Sequence, residues 1–137
     1  MRLVLDTNVV IAAVMGDGPP SRLIELATEG VIDLYSSENL IAELADVLAR
    51  EHITRRLARK GQSGAEVLAL YEDLVERIVS AEITRTVSDP DDDAVLACAL
   101  AAGADLIVSG DKAVRNVKSF QRIPIVHAGE ALARIHQ

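Results

Sequence analysis

Leu3-Val4-Leu5-Asp6-Thr7-Asn8-Val9-Val10 decides how this chain is read. Three branched apolar residues run straight into an acid. A run this short and apolar, met by polar residues, predicts a strand buried on both faces. In open parallel sheets, ligands bind just beyond the carboxyl ends of the strands. Asp6 stands at such an end, held by the sheet yet within reach of the crevice.

Working outward, helices and strands alternate. Val9 to Val14 predicts a short helix, broken by Gly16-Asp17-Gly18-Pro19-Pro20. Ser21 is read as the N-cap of a helix carrying Leu23, Ile24, Leu26 and Ala27, with Gly30 as its stop. Val31 to Tyr35 predicts a second strand. Ser36 or Ser37 caps a helix with Leu40, Ile41, Leu44, Val47 and Leu48 at helical spacing. Glu43 falls beside that apolar stripe, where an acid needs a partner. A basic stretch follows, Arg50, Arg55, Arg56, Arg59 and Lys60, and then a turn at Gly61-Gln62-Ser63-Gly64. Val67, Leu68, Tyr71, Leu74, Val75, Ile78 and Val79 predict a longer helix, and 83–87 a short strand or extended link.

Asp89-Pro90-Asp91-Asp92-Asp93 reads as a helix start: Asp89 as N-cap, Pro90 at the first helical position, and acids in the first turn. That helix is expected to end near Ala102-Gly103. Asp105 to Val108 predicts another buried strand, running into Ser109-Gly110-Asp111. A short turn or helix at 112–118 leads to a strand at Ile123 to Val126, where Pro124 suggests an edge position. Residues 128–135 close the chain as a small amphipathic helix. Such alternation means an α/β fold whose parallel sheet is covered on both sides.

The totals set limits. The 137 residues carry 21 acids against 14 Lys and Arg, a net charge of -7. That length fits one domain spanning 1–137. The charge argues against a general nucleic-acid coat protein and is compatible with simple solubility. Half of the chain is hydrophobic (50%), which argues against disorder, and aromatics are scarce, so the core must be aliphatic. The single cysteine, Cys98, lies in an apolar Ala-rich stretch and reads as a packing residue; this usage suits a reducing cytoplasm. No run approaches the length of a membrane span.

Two strands end with an acid in the same way, at Asp6 and at Asp111. If they are parallel neighbours, both acids open into one crevice. The helix starting at Asp89 should bring its first turn to that edge, with Asp92 nearest its buried side and Asp93 in reserve. Glu43 lies about one turn further back. Each acid has a plainer reading: Asp6 as a helix cap, two of Asp91 to Asp93 as complements to a helix dipole, Asp111 as a turn residue, Glu43 as a rim acid paired with an Arg. Together they repel: at about 4 Å and an effective dielectric near 20, each pair costs roughly 4 kcal/mol. Hard oxygen donors so gathered suit Mg²⁺ or Mn²⁺. Such an ion lowers the pKa of a water it holds and offsets charge on phosphoryl oxygens, which suits phosphodiester hydrolysis.

These same segments, Leu5-Asp6-Thr7-Asn8-Val9, Ser37 with Leu40-Ile41-Ala42-Glu43-Leu44, Asp89-Pro90-Asp91-Asp92-Asp93 and Gly103 to Asp111, resemble a PIN domain. More narrowly they resemble the VapC-like toxins of bacterial toxin–antitoxin pairs. The resemblance implies a three-layer α/β/α sandwich with a central parallel sheet of about five strands. It implies an Mg²⁺- or Mn²⁺-dependent endoribonuclease leaving 5′-phosphate and 3′-hydroxyl ends. By position, Asp6, Glu43, Asp92 and Asp111 match the acidic quartet that holds metal and carries catalysis, and Thr7, Asn8 and Ser109 match the supporting polar residues. Ser109 replaces the family's usual Thr and keeps the hydroxyl. A homodimer and a cognate antitoxin are the implied partners. Arg50, Arg55, Arg56, Arg59 and Lys60 are the local source of contacts to RNA, or else a solvated helix end. Two rivals stand beside this reading. A haloacid-dehalogenase-type phosphatase also pairs a strand-end Asp with a Gly-Asp, but it requires a second acid where this chain has Asn8. A non-catalytic module would bind metal or a basic antitoxin tail without turnover.

Overall fold

A computed structural model describes residues 1–81 and 90–136, with backbone alone at 90–92 and 113. The strand ahead of Asp6, β1 (Arg2–Leu5), lies at the centre of a six-stranded sheet. Around it the chain runs α1 (Thr7–Met15), α2 (Pro19–Thr28), β2 (Asp33–Ser36), α3 (Glu38–Leu48), α4 (Glu51–Arg59), α5 (Gly64–Leu74), β3 (Glu76–Arg77), α6 (Pro90–Ala102), β4 (Leu106–Val108), α7 (Lys112–Arg115), β5 (Ser119–Phe120), β6 (Ile123–Val126) and α8 (Ala128–Ile135). Strand order is β3-β2-β1-β4-β6-β5. Every pairing is parallel except that of β5 with β6. The expected parallel α/β sheet is present, enlarged to six strands by one antiparallel strand.

Alternation along the strands fills both faces. Leu3 and Leu5 of β1, with Leu106, Val108 and Val126, pack under α1, α2, α3, α5 and α8. Val4, Tyr35, Ile107 and Ile125 pack on the other face against Val95, Leu96, Cys98 and Ala99 of α6. α3 straddles the two layers: Leu40 joins the α6 side, while Ile41, Leu44, Val47 and Leu48 join the first. Cys98 is fully buried, as a packing residue should be.

Several boundaries differ from the sequence reading, each for a local reason. α2 starts at Pro19 behind Gly18, and Ser21 lies inside it, its hydroxyl donating to the carbonyls of Ala13 and Gly16. The helix expected to continue to Val79 stops at Leu74; Val75 turns extended, and Glu76–Arg77 pairs with β2. The strand expected at 83–87 and the cap at Asp89 lie outside the described residues. β6 is not an edge, because β5 covers it: Pro124 pairs with Ser119, so its missing N–H falls beside a two-residue strand. That hairpin turns through Gln121 and Arg122, both left-handed at φ 49° and 70°. The stops at Gly30 and Gly103 are as expected, with φ 79° and 60°.

Candidate metal centre and its acids

β1 and β4 are parallel neighbours, with Leu5 level with Val108. Asp6 and Ser109 are the next residue of each strand, and so leave the same edge of the sheet side by side. The backbone continues the ladder one step: the Asp6 N–H donates to the Val108 carbonyl at 2.9 Å, and the Ser109 N–H to Val126 at 3.0 Å.

Asp6 is buried, only 4% exposed. Its Oδ1 accepts the Thr7 N–H at 2.8 Å, and its Oδ2 accepts the Ser109 hydroxyl at 2.8 Å. The same Ser109 Oγ accepts the Asp111 N–H at 3.0 Å. One fully buried hydroxyl therefore fixes a carboxylate on one strand and the backbone of a second acid beyond its neighbour. Asp6 also caps α1, as its plainer reading held. The cap bond uses Oδ1 and the Ser109 bond uses Oδ2, so both oxygens of this carboxylate are held. Thr7 is buried beside it, whereas Asn8 is exposed on the first turn of α1.

The other acids arrive on helices. Arg2, at the start of β1, donates through Nη1 to the Ala102 carbonyl at 2.9 Å, at the last residue of α6. α6 therefore runs antiparallel to β1, and its first turn, with positions 92 and 93, reaches the edge where Asp6 lies. Asp93 is half-buried. The side chain of Asp92 lies outside the described residues. Ser37 caps α3, its hydroxyl accepting the Leu40 N–H at 3.3 Å, so α3 starts from the same edge and runs away from it. Glu43, six residues beyond that cap, is half-buried about 9 Å along the helix axis, with Oε2 shielded from solvent. α3 packs against α6.

What the described residues assemble is a linked pair, Asp6 and Asp111, with Glu43 and Asp93 on the flanking helices. Among the described residues no three His, Cys, Asp or Glu side chains gather closely enough to hold a metal ion. The donor chemistry is that of a hard divalent ion: carboxylate oxygens throughout, one of them buried and oriented by a hydroxyl and an amide.

The basic stretch sits elsewhere. Ile53 and Leu57 turn α4 inward, and Arg50, Arg55, Arg56, Arg59 and Lys60 are exposed. Arg55 pairs with Glu51 at 3.3 Å. The Lys60 ammonium donates to the Val14 carbonyl at 2.7 Å, near the end of α1 remote from Asp6. Sequence reasoning passes over Arg115, on the one-turn helix after Asp111; its basic character is in plain view, but its placement follows only from the packing of Val114.

A family model described as PIN domain matches residues 2–113, and the chain belongs to that family. Among solved structures it is similar to a chain of VapBC2 from Rickettsia felis, crystallised bound to a DNA fragment from their promoter. The TM-score is 0.61 at 15% identity, covering 91% of this chain and 97% of that one. No curated protein matches the sequence. Family membership sets aside the phosphatase reading, which already lacked its second acid at Asn8.

Proposed function

We propose that this PIN domain is a metal-dependent endoribonuclease and the toxin component of a toxin–antitoxin pair. The observation that supports the proposal is the Ser109 hydroxyl, which bonds the Asp6 carboxylate on one strand and the Asp111 backbone beyond its neighbour at the same sheet edge. A crevice lined by fixed carboxylates has little use without a cation. Asp6, Asp92 and Asp111 would hold Mg²⁺ or Mn²⁺, with Glu43 completing the set and Asp93 as the alternative to Asp92. The ion, when bound, would offset charge on the phosphate and favour attack by water on phosphorus. Ser109 and Thr7 orient Asp6, so that its oxygens need not reorganise when substrate arrives. At 4% exposure the Asp6 carboxylate is largely shielded from bulk water.

The toxin assignment is supported by the motif resemblance and by the shared fold with VapBC2. It carries with it a cognate antitoxin whose basic arm suits an acidic crevice, and a homodimer as the assembled form. Purified protein should cleave single-stranded RNA in Mn²⁺ or Mg²⁺ and lose that activity in EDTA. Asp6→Ala should lose at least about a thousandfold while its melting curve still shows a folded domain, the scale of loss seen when a site loses central charge stabilisation. Undiminished cleavage by Asp6→Ala would sink the assignment.

A further inference from the structure

On a protein of net charge -7, a bound ion would offset charge at one phosphate, and its neighbours on the strand would still meet a negative surface unless a basic side chain stands beside Asp6 and Asp111. The basic stretch on α4 is not that cation's obvious source, since Lys60 lies at the far end of α1. Much nearer in the chain, α7 begins one residue after Asp111 and carries Lys112 and Arg115. The Arg115 N–H donates to the Asp111 carbonyl at 3.0 Å, a helical bond that stacks Arg115 one turn above Asp111 on the same face. Val114, fully buried, pins the turn to the core. The guanidinium Nε is shielded from solvent, yet it donates to no acceptor among the described residues. Neither Arg115 nor Lys112 takes part in any ion pair among those residues. A shielded, charged donor with no acceptor is costly to keep unless something supplies one.

We propose that Arg115 is a substrate-binding residue that holds a phosphate of the RNA strand next to the Asp6–Asp111 crevice, with Lys112 as an outer electrostatic contact. The planar fork of the guanidinium matches two oxygens of a phosphate, and anchoring by Val114 and Asp111 means that little freedom is lost on contact. The inference rests on the ribonuclease reading and adds to it the group that offsets the substrate's own charge.

The test uses the full-length protein and a fluorogenic single-stranded oligoribonucleotide in Mn²⁺. Arg115→Gln should raise KM by about tenfold, the worth of one charged hydrogen bond, with kcat changed by less than about twofold. The dependence of log KM on log salt should fall by about 0.7, as for one lost phosphate contact on a single strand. Arg115→Lys should recover part of the affinity, and Mn²⁺ uptake by calorimetry should be unaltered. If Arg115→Gln does not fold, Lys112→Gln, on an exposed side chain of the same turn, should raise KM by about threefold and lower the salt slope. Equal KM and salt slope in wild type and variants overturns the role of α7 while cleavage by the wild type leaves the ribonuclease reading standing. So does a raised KM accompanied by lost Mn²⁺ uptake, which would make Arg115 structural. Absence of metal-dependent cleavage in the wild type overturns both.

Discussion

At the scale of the residue, Ser109 does the most with the fewest atoms. It is fully buried, and its hydroxyl both donates to Asp6 and accepts from the Asp111 backbone. Ser109→Ala removes both bonds and leaves a part-buried N–H without its acceptor, at a stability cost of about 1–3 kcal/mol. Because Asp6 also loses its orienting partner, cleavage should fall by about 10–100-fold, the usual penalty for losing a group that orients a metal ligand. Ser109→Thr, keeping the hydroxyl, should lose much less. Steady-state rates in Mn²⁺ beside melting curves of the three proteins check both expectations. Asp6 and Ser109 are legible in the sequence because each directly follows an apolar strand, and a strand has only one downstream end. Glu43 is legible only as an acid bordering an apolar stripe. How deep it sits depends on α3 crossing to α6, which no spacing reveals.

The elements show where periodicity stops being informative. β1, α3, α6, β4, β6 and α8 emerge close to where apolar spacing puts them, because each is anchored by a cap, a glycine or a strand-end acid. The hairpin of β5 and β6 escapes the sequence for a definite reason. Its two-residue turn holds Gln121 and Arg122 at positive φ, where Asn and Gly are the usual signal. Neither residue adopts that conformation cheaply, at about 1–2 kcal/mol each. The double variant Gln121→Asn with Arg122→Gly gives the turn its preferred pair of residues. It should stabilise the protein by about 1 kcal/mol and raise the melting temperature by about 3–5 °C. Cleavage should be unaffected, since the turn precedes β6 and so lies at the edge of the sheet opposite the one that carries the acids. The end of α5 falls earlier than spacing predicts because Ile78 and Val79 keep the helical period after the backbone has already left for β3; pairing with β2 overrides the pattern.

At the scale of the molecule, two apolar layers enclose the sheet, and titratable groups such as Cys98 and Tyr71 are sealed within them. Burial pushes the Cys98 thiol up from 9.0 to about 11, against a smaller opposing contribution from Ser37. Burial also raises the Tyr71 phenol. Each group keeps its proton in the folded state after the unfolded chain has released it. For Cys98 the contribution to stability is therefore complete below pH 9.0 and is lost as pH rises toward about 11. Thermal melts across that alkaline range should show a decline that Cys98→Ala partly flattens, and native Cys98 should resist alkylation until the protein unfolds. No helix among the described residues is long and apolar enough to cross a membrane. Strand order has a last consequence. From β1 the chain first builds outward through β2 to β3, then returns to add β4, β6 and β5 on the other flank. Asp6 and Glu43 come from the opening half of the polypeptide, Asp93 and Asp111 from the closing half. Severing the backbone at the Gly61–Ser63 turn would divide these carboxylates between two fragments. Neither piece would carry the full set, and if the ribonuclease reading holds, cleavage should return only when the halves recombine, β1 against β4 and β2 against β3.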